Sequence, residues 1–388
     1  MRVFEVMECT IGGTRRHLVD LAGGLADAGD DVHLVVAVER MAAFREDLRA
    51  LEARGCTVHE LPMVRSISPK RDLRHKREIA RLLREHRPDL VHTHSSKAGV
   101  LGRSASLSTG IGARVHTPHT FAFLFDAMFS APKRLLFRGI EKHLAKSTDR
   151  MIAVSQGEAT TMVEAGVVDR DKVCVVPNGV DPERWSGVAP ASRRELGIPD
   201  SGVMVLVAGL LNSAKGQDLA IEALQQAGSN DIYLVLAGHG EDLGLLQELA
   251  SKLGVEDRVR FLGWRDDVPA LVAAADLVLL PSRWEGMPYV VLEAMAAARP
   301  VVATRVDGAT DLVVPGETGE LVDVLDVPGI AGALDRMADL SKQQRDQLGQ
   351  AGELRIRSAY CIEHMVAATR EVFRAATGTA SPPKEITA

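Results

Sequence analysis

Residues 276–296 have the sequence DLVLLPSRWEGMPYVVLEAMA, which predicts a buried β-strand, a short loop and a helix. The apolar run DLVLLPS favours the strand, and Pro288 favours the first helical position. Glu285 then lies on the loop at the carboxyl end of the strand, and Glu293 lies about one and a half turns into the helix. Because ligands of open α/β sheets bind at this edge, two carboxylates and free helix-start amides suit a polyhydroxylated, phosphorylated ligand.

Short apolar segments alternate with segments of helical period along the whole chain, which is the pattern of parallel βαβ units. The expected strands are approximately residues 3–7, 32–38, 58–61, 90–94, 114–117, 151–155, 173–176, 203–208, 232–237, 259–262, 277–280, 301–303 and 319–322. This order predicts an α/β protein of two facing Rossmann-like domains with the ligand cleft between them.

The turn-rich string PNGVDP at residues 177–182 marks the expected domain boundary. We expect one domain over residues 1–182 and a second domain over residues 183–357. A helix over residues 358–375 is expected to pack back on the N-terminal domain, and residues 376–388 are expected to be disordered.

The composition indicates a cytoplasmic α/β protein of 388 residues, 46% of them hydrophobic, which is enough for two cores. Its four cysteines have no paired spacing, so reduced thiols are expected. The N-terminus carries acids within its apolar stretch, which favours a first strand over a signal peptide. No apolar run has the length of a membrane span.

Charge is distributed unevenly between the two halves. Residues 1–182 carry 27 Lys and Arg against 23 Asp and Glu, and the remainder carries 19 against 29. This balance does not suggest nucleic-acid binding. The basic segments 65–87 and 121–150 favour either an anionic membrane surface or a phosphorylated acceptor, with a solvated basic face as the structural alternative.

Three further loops follow predicted strands. Gly12 and Gly13 open a helix and let a phosphate or sugar approach the backbone, although a tight βα turn would need the same residues. Gly209 and Lys215 follow another strand, where the lysine can neutralise a diphosphate. His119 ends a third strand and is a candidate hydrogen-bond donor to a sugar hydroxyl. His92 and His94 are expected to be strand or support residues.

Several classes of protein are excluded or disfavoured. No G-x-G-x-x-G string occurs, which counts against a dehydrogenase. No Cys or His cluster has zinc spacing, and the only D-x-D string, Asp169–Asp171, is explained by local capping. We therefore expect no metal site and no cofactor beyond a co-substrate.

Taken together, these residues resemble the retaining glycosyltransferases of family 4, which have the GT-B fold. The most specific part is Glu285-x7-Glu293 within PSRWEGMPYVVLEAMAAARPVVAT, followed by PGETGELV. The Gly12-Gly13 loop, PHTF around His119, PNGVD and the Lys215-Gly216 loop occur in the same order. The resemblance covers nearly the whole chain apart from its tail.

The resemblance implies that the domain of residues 1–182 binds the acceptor and that the domain of residues 183–357 binds the nucleotide sugar. It also implies a role for each of these positions. Glu293 would bind the ribose hydroxyls, and Glu285, with the backbone amides of Gly286, Met287 and Pro288, would hold the transferred sugar. Lys215 would be the cation for the diphosphate and His119 the contact to the donor sugar. Gly13 would lie beside the phosphates and the acceptor, and the base would lie near the segment Gly263-Trp264-Arg265. His119, Glu285 and Lys215 are thus the expected catalytic residues, and the expected donor-binding residues are Gly12, Gly13, Gly209, Lys215, Arg265, Glu285, Gly286, Met287, Pro288 and Glu293.

Two positions depart from the family pattern. Leu210 stands where the family commonly has Arg, which removes one cation for the leaving diphosphate unless Arg15, Arg16 or the acceptor supplies it. Ala298 replaces a common glycine.

The implied activity is transfer of a sugar from a nucleoside diphosphate sugar, by default UDP-hexose or UDP-N-acetylhexosamine, to a hydroxyl acceptor. That acceptor is expected to be lipid-linked, in surface polysaccharide assembly at the inner face of the membrane, or else a soluble natural product. A weakly active nucleotide-sugar-binding subunit and a nucleotide-sugar epimerase are the other hypotheses, and a two-carboxylate glycosidase would need a different geometry.

Overall fold

A computed structural model of the chain describes residues 1–39, 41, 43–124 and 129–379. The described residues divide into two compact units, one within residues 1–179 and 362–379 and the other of residues Val180–Cys361. Each unit contains one parallel sheet covered by helices. The predicted α/β class with two Rossmann-like domains is confirmed.

The first unit is built on a seven-stranded parallel sheet with the strand order β3-β2-β1-β4-β5-β6-β7. Its strands are β1 (Arg2–Met7), β2 (Asp31–Val36), β3 (Thr57–Glu60), β4 (Leu90–His94), β5 (Ala113–Thr117), β6 (Arg150–Ala153) and β7 (Val173–Val175). Its first six helices are α1 (Gly12–Asp27), α2 (Phe44–Ala53), α3 (Pro69–His86), α4 (Ser95–Thr109), α5 (Ala131–Ala145) and α6 (Gln156–Glu164).

Alternation along β1 explains how this sheet is covered on both faces. Val3 and Met7 belong to the apolar cluster that contains Leu18 of α1, whereas Phe4 and Val6 belong to the opposite cluster. Successive side chains of a strand point to opposite faces, so a strand buried on both sides is nearly continuously apolar. Glu5 is the exception in β1, since it is charged and fully buried.

The second unit has a six-stranded parallel sheet with the order β10-β9-β8-β11-β12-β13. Its strands are β8 (Val203–Ala208), β9 (Ile232–Ala237), β10 (Val259–Gly263), β11 (Leu277–Leu280), β12 (Val301–Thr304) and β13 (Gly319–Val322). Its helices are α7 (Gln217–Gln226), α8 (Leu243–Lys252), α9 (Val268–Ala274), α10 (Tyr289–Ala296), α11 (Ala309–Leu312), α12 (Val327–Asp339) and α13 (Lys342–Ala359).

The last helix, α14 (Ile362–Ala376), belongs to the first unit and packs on α1. Gly24 of α1 lies directly beneath Val366, so closely that an added Cβ would be 2.4 Å from the valine side chain. Arg370 forms an ion pair with Asp30 at 2.9 Å. The expected disordered tail, residues 376–388, lies outside the described residues from position 380 onward. In the part of the chain that is described, no helix is long and apolar enough to cross a bilayer.

Candidate functional site

The predicted donor-site residues of the second unit lie at the point where its sheet reverses direction. β8 and β11 are neighbours, and the chain leaves them toward opposite edges of the sheet. In doubly wound sheets this switch point is where ligands bind, outside the carboxyl ends of the strands. A short 3₁₀ turn, Ser213–Lys215, follows β8, and the loop containing Glu285 follows β11.

These two loops meet through an ion pair between Lys215 and Glu285. Nζ of Lys215 lies 2.7 Å from Oε1 of Glu285, and the hydroxyl of Ser282 donates to the same oxygen at 2.7 Å. The Glu285 side chain is 11% exposed and that of Lys215 is 32% exposed. The carboxylate is therefore held in place, while the ammonium group remains accessible to an anionic ligand.

Two glycines let the loops after β8 and β12 approach the backbone on either side of Glu285. Gly216 has φ +69°, and a Cβ there would be 2.1 Å from the carbonyl oxygen of Pro281. Gly308 has φ +70°, and its Cβ would be 2.5 Å from the carbonyl oxygen of Gly286. A side chain at either position would meet both a strained backbone conformation and an overlap with backbone atoms.

The structure corrects the predicted start of the helix after Glu285. Helix α10 begins at Tyr289, and Pro288 precedes it in an extended conformation as the N-cap residue. Its carbonyl oxygen accepts hydrogen bonds from the backbone N–H groups of Val291 and Leu292, which is the role of an N-cap carbonyl. Proline also lacks an N–H, so the expected amide contact from Pro288 to a sugar was wrong. Lys215 ends the 3₁₀ turn that precedes helix α7.

The remaining donor-site predictions lie in the segments that follow β8, β10 and β11. Gly286 and Glu293 are half-buried, Met287 is buried, and Glu293 is the fifth residue of α10. Gly209 follows β8 directly, and the side chain of Leu210 is 38% exposed. Arg265 follows β10, where Asp267 accepts hydrogen bonds from its guanidinium at 2.6 and 2.7 Å. That hydrogen bonding raises the pKa of Arg265.

Both arginines considered as replacements for a cation at position 210 already have carboxylate partners. Arg15 donates to Asp47 at 2.5 Å, and Arg16 forms an ion pair with Asp20 one helical turn away. Because each pair partly offsets the charge of its arginine, a phosphate would compete with the carboxylate for the guanidinium.

The switch point of the first unit lies between β1 and β4. The loop after β1 leads to Gly12 and Gly13, which are both exposed and begin α1, with Gly12 at φ +54°. His94 is the last residue of β4 and is completely buried. The predicted glycine loop and a histidine that the sequence had suggested only as a support residue therefore share one edge of this sheet.

His119 has a strained backbone that a buried carboxylate stabilises. It has φ +52°, and Thr120 has φ +81°, both in the left-handed region that residues other than glycine rarely adopt. The carboxylate of Glu158 accepts hydrogen bonds from the N–H of Thr120 at 2.6 Å and from the N–H of Val154 at 2.8 Å. Such strain persists where the surrounding structure enforces it, often at functional sites.

The sequence prediction missed Glu5, which joins three histidines. Its Oε2 lies 2.6 Å from Nε2 of His94 and 2.9 Å from Nδ1 of His92. The other nitrogen of the His94 ring, Nδ1, lies 3.1 Å from Nε2 of His119. Burial acts to raise the pKa of Glu5, but its contacts with His92 and His94 outweigh burial and lower that pKa to about 2. Glu5 is therefore a carboxylate near neutral pH.

A signal for this cluster was present in the sequence. Glu5 interrupts an apolar strand, and His92 and His94 are two residues apart, so they point to the same face of their strand. What the sequence did not show is that β4 lies beside β1, in a register that places His92 opposite Glu5.

Among the described residues, Glu5 with His92 and His94 is one group that could hold a metal ion, and two clusters of histidines are others. The ring nitrogens of His17, His94 and His119 lie within 4.8 Å of one another. Nδ1 of His17 lies 2.9 Å from Oδ1 of Asn178, and its Nε2 is buried without a hydrogen-bond partner among the described residues. Burial, followed by the neighbouring His94 and His92, lowers the pKa of His17 to about 3. A second cluster at the opposite edge of the sheet contains His33, His59 and His86.

Both halves of the chain match families of glycosyltransferases. Residues 11–184 match the family described as Glycosyltransferase Family 4, and residues 188–355 match Glycosyl transferases group 1. The chain is 32% identical over 288 residues to an Escherichia coli UDP-Gal:alpha-D-GlcNAc-diphosphoundecaprenol alpha-1,3-galactosyltransferase, covering 71% of this chain and 73% of that protein.

One further relative and one solved structure are similar to this chain in sequence and in fold, respectively. The chain is 35% identical over 274 residues to a D-inositol 3-phosphate glycosyltransferase from Salinispora arenicola, covering 64% of this chain and 60% of that protein. Its fold is similar to that of Anabaena HepE, crystallised in complex with UDP and glucose, with a TM-score of 0.82 and 24% identity over 97% of this chain and all of the other. The chain therefore belongs to the family 4 glycosyltransferases of GT-B fold, enzymes that use nucleotide sugars.

Proposed function

We propose that this glycosyltransferase is a retaining, metal-independent hexosyltransferase that uses a UDP-hexose or UDP-N-acetylhexosamine and acts on the cytoplasmic side of the membrane. The observation that supports this most strongly is the Lys215–Glu285 pair at the switch point of the second unit. Lys215 supplies a positive charge where the diphosphate leaves, and Glu285 supplies a fixed acceptor for sugar hydroxyls. Neither residue needs to transfer a proton or form a covalent bond.

In this mechanism the protein positions substrates and stabilises developing charge. The acceptor hydroxyl attacks the anomeric carbon from the face that the diphosphate leaves, and the departing phosphate oxygen takes the hydroxyl proton. Lys215 offsets the charge that grows on the diphosphate, and the amides of Gly286 and Met287 are available as donors to the sugar. Anomer-resolved NMR of the product tests this proposal, because inverted stereochemistry would contradict retention.

Donor choice and metal independence are tested together. A thermal-shift panel of nucleotide sugars should show stabilisation by uridine diphosphate sugars above their dissociation constants. Turnover should persist in EDTA. Activity that is lost in EDTA and restored by Mg²⁺ or Mn²⁺ would contradict metal independence.

We propose a lipid-linked acceptor in surface polysaccharide assembly. The E. coli relative is named for an acceptor on diphosphoundecaprenol. Helix α5 exposes Leu135 at 70% and Leu136 at 57%, beside the exposed cations Lys133, Arg138 and Lys142. Exposed leucines flanked by cations suit the surface of an anionic membrane.

Liposome flotation distinguishes this acceptor from a soluble one. The chain should float with anionic vesicles, and the double variant Leu135→Asp, Leu136→Asp should not. The exposed Leu245 lies in the second unit, so Leu245→Asp is the matched control. Wild-type protein that stays with the soluble fraction would favour a soluble acceptor. The names of the inositol phosphate glycosyltransferases make a small phosphorylated acceptor the first to test.

A further inference from the structure

Glu5, His94 and His119 form a continuous line of hydrogen bonds from the core of the first unit to its site edge. The carboxylate contacts Nε2 of His94 at 2.6 Å, and Nδ1 of His94 contacts Nε2 of His119 at 3.1 Å. The two rings are inclined by only 16°, which allows an N–H···N bond in the plane of both. Glu5 and His94 are completely buried, and His119 is half-buried.

The direction of each bond follows from the carboxylate. An ionised carboxylate only accepts hydrogen bonds, so Nε2 of His94 must carry the proton that it donates to Glu5. Burial, followed by the neighbouring His92, lowers the pKa of His94 to about 4, so its ring is neutral near neutral pH and Nδ1 has no proton. Nδ1 of His94 therefore accepts from Nε2–H of His119.

The same reasoning fixes the last nitrogen in the line. Burial, followed by His17 and His94, lowers the pKa of His119 well below its usual range, so this ring is also neutral. With its proton on Nε2, the Nδ1 atom of His119 is an acceptor. Glu158 holds the backbone of Thr120 beside it, which restricts the orientation of the ring.

We propose that Glu5 and His94 are positioning residues that hold His119 as the tautomer with an unprotonated Nδ1, which accepts a hydrogen bond from a hydroxyl of the transferred sugar. This inference rests on the proposed function, because that function places the donor sugar at His119. It reverses the hydrogen-bond direction expected from the sequence, in which His119 was a donor. A hydroxyl can donate to the bare nitrogen, whereas a carboxylate or a methoxy group at the same place cannot.

His92 provides a matched control for this line. It lies two residues before His94 on β4 and contacts the same carboxylate at 2.9 Å. Its other nitrogen, Nε2, lies 2.8 Å from the hydroxyl of Thr117 rather than near His119. Replacing His92 therefore disturbs Glu5 without interrupting the line, whereas replacing His94 interrupts it.

The first experiment measures the tautomer directly, without substrate. Long-range ¹H–¹⁵N NMR of histidine-labelled protein should show His119 and His94 protonated on Nε2 only. In His94→Phe, His119 should become a mixture of tautomers, and in His92→Phe it should not change. Glu5→Gln is a second, nearly isosteric variant, in which one amide oxygen serves two imidazole N–H groups, so the fixed tautomer of His119 should be less populated.

Two results would overturn the tautomer assignment, one from NMR and one from metal analysis of the purified protein. One is a wild-type His119 protonated on Nδ1. The other is zinc recovered in stoichiometric amount with the purified protein, because a metal held by His17, His94 and His119 would occupy both nitrogens of the proposed bond.

The second experiment measures kcat/KM with the donor and with monodeoxy analogues of its sugar. His94→Phe and Glu5→Gln should lower kcat/KM about tenfold, the loss of one hydrogen bond in the site, and His92→Phe should lower it far less. For the analogue that lacks the bonded hydroxyl, wild type and His94→Phe should be equal. If NMR shows the proposed tautomer but His119→Phe leaves kcat/KM unchanged, the sugar contact is wrong and the tautomer assignment stands.

Discussion

Nζ of Lys215 lies 2.7 Å from Oε1 of Glu285, although the two residues are 70 positions apart in the chain. The lysine follows β8 and the glutamate follows β11, and these strands are neighbours at the point where the sheet reverses direction. Each charge is therefore neutralised by the other. A diphosphate would compete with Glu285 for the ammonium group of Lys215. Phosphate binding would therefore release the Glu285 carboxylate from this ion pair, so that it could accept hydrogen bonds from other groups.

Lys215→Met should weaken donor binding much more than it weakens folding. The pair is partly exposed, so its loss should cost less than about 1 kcal/mol of stability. A charged hydrogen bond to a diphosphate contributes about 1.5–3 kcal/mol, so UDP should bind roughly 10- to 100-fold more weakly. Calorimetric titration with UDP measures this. Lys342→Met is the control, because Lys342 forms a similar ion pair with Asp346 on exposed helix α13. Equal UDP affinity in wild type and Lys215→Met would contradict the assigned role.

Leu210→Arg should strengthen the binding of UDP sugars. The family commonly has Arg at this position, and the Leu210 side chain is 38% exposed, so a longer cation can be accommodated. The backbone contact from Gln217 to the carbonyl oxygen of Leu210 does not depend on its side chain. Comparison of KM and kcat separates tighter binding from faster transfer. An unchanged or weaker affinity would show that the diphosphate lies out of reach of position 210.

Gly216→Ala should destabilise the second unit by about 2–4 kcal/mol, from a strained positive φ and an overlap with the carbonyl of Pro281. Gly187→Ala is the matched control, because Gly187 has φ +67° with no atom within 4 Å of the added Cβ. Only the strain of the positive φ remains there, so a loss of about 1 kcal/mol of stability is expected. All three tryptophans, Trp185, Trp264 and Trp284, belong to this unit, so denaturation followed by tryptophan fluorescence reports on it. Equal losses in both variants would show that the overlap is relieved by a small loop movement.

Glu158→Gln should lower both the stability of the first unit and the activity. A glutamine has one acceptor oxygen for the two backbone N–H groups of Thr120 and Val154, so one N–H group loses its partner. An unpaired buried donor lowers the free energy of unfolding by about 1–3 kcal/mol. The strained backbone at His119 then loses its support. Stability is measured by calorimetry and transfer by kcat/KM. Glu164→Gln, at the exposed end of the same helix α6, should change neither. Full activity in Glu158→Gln would show that this strain has no role in transfer.

The first unit should lose stability in mild acid before the second. Burial is the main cause that lowers the pKa of His17 to about 3 and that of His94 to about 4, from 6.5. The unfolded chain binds protons at these imidazoles below about pH 6.5 and the folded chain does not, so their contribution is complete above that pH and is lost toward about pH 4. Calorimetry should show that the unfolding temperature of the first unit falls as the pH is lowered from about 7 to about 5. The unfolding temperature of the second unit, followed by tryptophan fluorescence, should change less. A calorimetric profile that is flat over this range would contradict the neutral histidine cluster.

The sequence was sufficient to predict the fold, because the signals for it are local. Apolar strands alternate with helical segments, and the strand predictions matched the structure to within a few residues, as for residues 232–237 and 319–322. The helix start at Pro288 was wrong because the proline ring fixes φ near −65°, a value that helical and extended residues share. Only ψ distinguishes them, and at Pro288 it is 115°, which is extended. The roles of the donor-site residues remain predictions.

What the sequence determined by itself is which residues stand at the ends of strands: Glu285, Lys215, His119 and the paired glycines at positions 12 and 13. What only the tertiary structure decided is which of them touch. The contact between Glu5 and His94 joins residues 89 positions apart, and it depends on β4 lying beside β1 in one particular register. The periodicity of apolar residues within a short segment identifies a helix or a strand. The order of the strands is set by the crossover connections and by burial of the whole sheet. For that reason the buried Glu5 and the strand residue His94 form a hydrogen-bonded line to His119 only in the folded chain.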